Sequence, residues 1–184
     1  MKSKSIFTFL FLALLSFSCK NEEKKESQEK QAPAKPPFTV IITMTAAEED
    51  IMTLYFKDNT MSTFEEEKGI YKEVKKGEQE IVFGLPDGFL PNDIRFDLSA
   101  KNPAQVCKVE KIHFLNEEKS FDIINADIEK YLTPNAGVVF DSKDRSYSFK
   151  EVDGNYDPFI NVTPDFYAKL VILVGNSAMQ PPVK

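Results

Sequence analysis

From Phe38 onward the chain alternates. FTVIITM (38–44) places Phe38, Val40, Ile42 and Met44 on one side and Thr39, Ile41 and Thr43 on the other. IMTLYFK (51–57) puts Met52, Leu54 and Phe56 on one face with Thr53 and Tyr55 opposite. QEIVFGLP (79–86) points Ile81, Phe83 and Leu85 together and stops at Pro86. NDIRFDLS (92–99) turns Ile94, Phe96 and Leu98 inward while Arg95 and Asp97 face out. QVCKVEKIHFL (105–115), VVFD (138–141) and FYAKLVILV (166–174) complete a set of strands predicted from the period of two. One short helix is predicted over NADIEKYL (125–132), with Asn125 as its N-cap and an end before Pro134.

KDN, DG and DGN lie between the runs and supply turn chemistry. Short strands at such spacing predict an all-β fold, an antiparallel jelly-roll-like β-sandwich with one short helix, with a closed barrel as the alternative. The expected domain spans residues 38–175, followed by a C-terminal tail at 176–184. A length of about 138 residues is enough to bury a full core.

The region before Phe38 has a different pattern. Lys2 and Lys4 precede the apolar stretch Ile6–Phe17, and Ser16 and Ser18 lie just ahead of Cys19. That order is the charged, apolar and small-residue series of a secretory signal, predicted over residues 1–18. The run is shorter than the roughly 20 apolar residues of a membrane span. A retained anchor, or a signal cleaved elsewhere, is the plain alternative. Residues 20–37, KNEEKKESQEKQAPAKPP, contain no aromatic and no β-branched side chain, so they cannot bury enough surface to offset chain entropy. We expect a disordered tether over 19–37, stiffened by Pro33, Pro36 and Pro37 and reaching on the order of 25 Å.

LSFSC (15–19) resembles a bacterial lipobox, in which the cysteine becomes the diacylated first residue. Phe17 departs from the usual small residue at that position, a relaxation found in Bacteroidota lipoproteins. Lys20 after the cysteine resembles the pattern of lipoproteins sent to the outer membrane, and Glu22 and Glu23 resemble a surface-export tract. A solvated spacer accounts for the same charges. TLYFKD, QEIVFGLPDGFLPNDIRFDLSAKNPAQVCKVEKIHFL, YLTPN and NYDPFI together resemble small Bacteroidota lipoproteins with one β-sandwich of galactose-binding-like or carbohydrate-module type. They are also similar to the β-sandwich appended to some bacterial membrane glycosyltransferases. The resemblance covers most of residues 38–162, departs at 120–132, and implies architecture and location without assigning any catalytic residue.

Charge narrows the partners. Cleavage before Cys19 removes two of the 23 basic residues, leaving 21 against 29 acidic ones and taking the net charge from −6 to −8. Nucleic-acid binding rests on cations meeting phosphates, so it is excluded as the expected role. Membrane attachment then rests on the lipid at Cys19. With Cys19 lipidated, Cys107 has no intrachain disulfide partner and is expected to pack as a small hydrophobe.

Candidate chemistry is sparse. His113, the single histidine, sits in a strand without a nucleophile assignable beside it, so no enzyme activity and no cofactor is expected. Asp141 and Asp144, and Asp153, Asn155 and Asp157, gather oxygen atoms in two loops. The second loop lacks the glycine and closing glutamate of a calcium loop, and Asp-Gly is a default turn. No metal is expected. Tyr55, Tyr71, Tyr147 and Tyr156, with Phe64 and Phe89, are candidates for a sugar-stacking platform, and Arg95 for its polar contacts. Sheet packing is the plain reading of each tyrosine, and a mutual surface pair that of Arg95 and Asp97. The expected function is a lipid-anchored cell-surface recognition module, most sharply a glycan binder without catalysis. The alternative is a structural or assembly lipoprotein that docks another envelope protein.

Overall fold

The computed structural model describes residues 37–175. Signal, lipidation site, most of the tether and the C-terminal tail therefore lie outside the described residues. Eleven strands build two sheets, and two α-helices close part of the structure. They are β1 (Thr39–Ala46), β2 (Asp50–Lys57), β3 (Ile70–Val74), β4 (Gly77–Gly84), β5 (Asp93–Asp97) and β6 (Val106–Asn116), then β7 (Lys119–Ile124), α1 (Ile128–Tyr131), β8 (Leu132–Pro134), β9 (Val138–Asp141), β10 (Ser146–Phe149), β11 (Ile160–Val162) and α2 (Pro164–Val174). The first sheet runs β4-β1-β6-β10-β9, with β7 also paired to β6, and the second runs β3-β2-β5-β11-β8. Every pairing is antiparallel. The chain crosses between sheets repeatedly, which gives the sandwich its jelly-roll character.

Alternation decides the packing. Val40, Ile42 and Met44 of β1 and Ile81 and Phe83 of β4 face the inner faces of β2 (Met52, Leu54, Phe56) and β5 (Ile94, Phe96), all buried in one cluster. The strand β6 breaks the period: Cys107 and Val109 are inward, and so are Ile112 and Phe114. A register shift opposite Thr43 and Met44 leaves Glu110 as the extra residue, so a bulge restores the inward face after one step. Cys107 is free and buried, packed as the small hydrophobe expected of it.

The segment 166–174, expected as a strand, is helical. Its apolar positions also satisfy a helical spacing, because Phe166, Leu170, Leu173 and Val174 fall on one face and are buried. Pro164 at the start suits a first helical turn, and the Thr163 carbonyl accepts from the Phe166 and Tyr167 amides at 3.0 and 3.4 Å. Phe166 meets Phe114 at 5.1 Å and Phe121 at 5.7 Å between ring centres, while Phe96 approaches Phe114 at 6.5 Å. The helix thus plugs one end of the sandwich with an aromatic cluster. The Tyr167 hydroxyl fixes it to β5 by donating to Asp93 at 3.0 Å. Over 125–132 the helix is present in shorter form, a 3-10 turn at Asn125–Asp127 running into α1. Asn125 makes no side-chain cap there; its amide donates to the Val109 carbonyl at 2.6 Å.

The helical assignment has a direct test. Strand alternation places Ile172 inward with Phe166 and Leu170, whereas the helix leaves Ile172 69% exposed and Leu173 only 2% exposed. In urea unfolding, Leu173→Ala is expected to cost about 2–5 kcal/mol. Ile172→Ala is expected to stay within roughly 0.5 kcal/mol of the parent. The reverse order contradicts the helix.

Candidate functional site

The strand β2 is buried on both faces, and the site exists because of that. Its inner residues enter the core, but Thr53 and Tyr55 on the outer face are covered as well. The cover is the β2–β3 connection, residues 58–69, which returns across the sheet. Gly69 allows the approach: a Cβ there would stand 2.8 Å from the Tyr55 ring and 3.1 Å from the Thr53 methyl. Asp58 starts the connection by accepting from the amide and hydroxyl of Thr60 at 2.8 and 2.5 Å, and the hydroxyl bond holds its carboxyl below the usual range. A 3-10 turn at Glu66–Lys68 ends it.

Register places the functional side chains side by side. On the outer face Tyr55 pairs with Arg95, and Arg95 with Asn161 of β11. In the adjacent row Tyr71 pairs with Thr53, and Thr53 with Asp97. Arg95 donates to both oxygens of Asp97, from Nε at 2.9 Å and Nη2 at 2.8 Å. Its guanidinium lies 4.4 Å from the Tyr55 ring centre and 4.7 Å from that of Phe159, with Phe64 at 5.9 Å. Phe64 is also approached by Lys57 at 5.0 Å, and Lys57 is paired with Asp93 at 3.2 Å. Tyr55 and Tyr71 meet edge to face at 6.4 Å, their hydroxyls 3.3 Å apart, and Tyr71 donates to the Glu66 carbonyl at 3.1 Å.

These contacts enclose a cleft of about 330 Å³ lined by Tyr55, Phe64, Glu66, Arg95, Asp97 and Asp157. That is the lower end of the roughly 300–1,000 Å³ common for small-ligand sites. Its floor combines two aromatic rings with a guanidinium fixed in orientation, and carboxylates stand around it. Burial pushes Asp97 up to about 6, with Asp157 adding to the rise and the bonds from Arg95 opposing it. Tyr55 is raised by burial first and then by its bond to Tyr71. A larger cavity of about 610 Å³ lies by the edge strands β3 and β4, walled by Phe56, Ile70, Leu85, Pro86 and Phe89. It lacks the convergent fixed polar groups that orient a ligand.

Of the residues expected to form a platform, Tyr55, Tyr71, Arg95 and Phe64 come together. Tyr147 does not: it is 2% exposed in the core beside Phe140, on the inner face of β10, where burial raises its hydroxyl. Tyr156 is half-buried, and its hydroxyl lies 2.5 Å from Ser99 Oγ, which donates to Asp50 at 2.5 Å. That network ties down the turn after β5, because Asp50 also accepts from the amides of Ala100 and Lys101 at 3.3 and 3.0 Å. Phe89 belongs to the apolar cavity. Arg95 and Asp97 are a pair, as the sequence suggested, but a largely covered one. Glu66 and Asp157 were not anticipated as site residues, although the spacing of Asp157 and Phe159 in NYDPF presents both to one face.

Asp141 and Asp144 cap turns, accepting from the amides of Lys143 and Ser146 at 2.8 and 3.2 Å, and Asp153-Gly154 forms a tight turn with positive φ at both residues. Among the described residues no three His, Cys, Asp or Glu side chains are grouped to hold a metal ion. His113 pairs with Asp122 at 2.6 Å on the outer face of the other sheet.

A buried acid with a raised value favours the protonated native state. Its contribution to stability is complete below about pH 4 and is lost as pH rises through about 6. Relative to Asp97→Asn, the parent is expected to lose roughly 2–3 kcal/mol between pH 4 and pH 7 in urea unfolding. Parallel pH profiles for the two proteins contradict the assignment.

Compared with protein-family models, with curated proteins and with solved structures, the chain matches none.

Proposed function

We propose that this protein is a lipid-anchored recognition module of the outer membrane, displayed at the cell surface, which binds glycans without acting on them. The observation that carries the binding reading is the cleft on the outer face of β2 and β5. Sugars present C–H faces that stack on aromatic rings and hydroxyls that need oriented polar partners. Tyr55 and Phe64 offer rings, and Arg95, Asp97, Glu66 and Asp157 offer donors and acceptors around one concavity. The absence of tryptophan leaves stacking to tyrosine and phenylalanine. The address rests on the sequence: the lipobox-like LSFSC supports a lipid at Cys19, and acidity disfavours nucleic acid. No helix among the described residues is long and apolar enough to cross a membrane.

A second reading rests on the opposite sheet. Its outer face exposes Val82, Val106, Ile124 and Val139, apolar side chains suited to docking another envelope protein.

The two readings separate on a glycan array probed with the full chain. The first expects binding that falls about tenfold with Phe64→Ala, the loss of one stacking ring. Silence across the array, with crosslinking to one envelope protein through Val82 or Ile124, instead supports the docking role. For the anchor, metabolic fatty-acid labelling is expected in the parent and absent in Cys19→Ser; equal label in both refutes attachment there.

A further inference from the structure

The charge of the cleft restricts which glycan it accepts. Arg95 is the cleft's one cationic side chain, and its charge is already met bidentately by Asp97. Tyr55 and Phe159 lie over its plane, so it has little left to offer an incoming anion. Glu66 and Asp157 remain, both exposed and both lining the cleft. Neither carboxylate has a hydrogen-bond or ion-pair partner among the described residues. An ion pair balanced at the floor and two unpaired carboxylates above it leave a net negative cavity.

We infer that the preferred ligand is a glycan carrying free amino groups, such as a deacetylated hexosamine oligomer, and that acidic glycans are rejected. The inference rests on the glycan-binding reading above and refines it. The enclosed cleft with its aromatic floor makes the site; the carboxylates set its sign. An ammonium group between Glu66 and Asp157 forms charge-assisted hydrogen bonds, roughly twice as strong as those of a neutral hydroxyl or acetamide. The faces of Phe64 and Tyr55 add attraction for a cation. A uronate or sialic-acid carboxylate would instead stand against two like charges, in a protein whose net charge is already −6.

The test is calorimetric titration of the full chain with a glucosamine tetramer, its N-acetylated counterpart and a galacturonate tetramer at low salt. Two partly exposed ion pairs predict about tenfold tighter binding of the amino form over the acetylated one. No binding of the uronate is expected, and near 0.5 M salt the advantage of the amine should shrink. Glu66→Gln and Asp157→Asn alter exposed side chains, so the fold is retained. Each is expected to weaken the amino oligomer several-fold and leave the acetylated one unchanged. Equal affinity for the amino and acetylated forms, or tighter binding of the uronate, overturns the charge inference while glycan binding stands. So does an array that reports only neutral glycans. No binding by any glycan overturns both.

Discussion

A guanidinium on the face of a β-sheet keeps its charge at any physiological pH, so its surroundings must adapt to it. Here Arg95 is held between the rings of Tyr55 and Phe159 and forked onto Asp97. That arrangement requires two separate loops to come onto the outer face of one sheet. The β2–β3 connection brings Phe64 and Glu66, and the segment before β11 brings Asp157 and Phe159. Each loop covers part of the pair and leaves a concavity between them. Removing Arg95 would leave Asp97 buried without a counter-charge, a costly state that keeps the pair together. The shape of the cleft and its electrostatic sign both follow from this one neutralised cation.

The core serves that face by keeping the sheet beneath it rigid. Inward aliphatics of both sheets and the aromatic cluster of Phe96, Phe114, Phe121 and Phe166 fix β5 from below. The chain of Tyr167, Asp93 and Lys57 then links the helix at the end of the sandwich to the outer row on which Phe64 rests. A binding floor on strands is positioned more firmly than one made of loops alone. The long connection supplies the wall, where adjustment to a ligand costs least.

Much of this was legible before any coordinates. A period of two over 38–57 and 79–99 placed inward and outward residues correctly, because each strand has one face in the core and a single register satisfies it. The segment 166–174 misled because an apolar run of that length fits either period; Pro164 just ahead of it was the available signal. The short strands β3, β8 and β11 lack enough residues to show alternation, and their pairing comes from long-range contacts. Tyr147 illustrates the limit for sites. Its outward or inward sense depends on the register of β10 against β9 and β6, which no local pattern fixes. Conversely, Tyr55, Arg95 and Asp97 share a face by strand parity alone. Asp157 and Glu66 reach it only through loop paths that local sequence does not specify.

The central claim is that ligand meets the protein at the outer face of β2 and β5. The most direct measurement is chemical-shift mapping of the labelled full chain during titration with a hexosamine oligomer, following the Arg95 Nε–H, the Phe64 ring and the Tyr71 ring. The account predicts saturable shifts at these three groups with His113, Val82 and Ile124 unmoved. Shifts confined to His113, Val82 and Ile124 on the opposite sheet, or none at all, would contradict it.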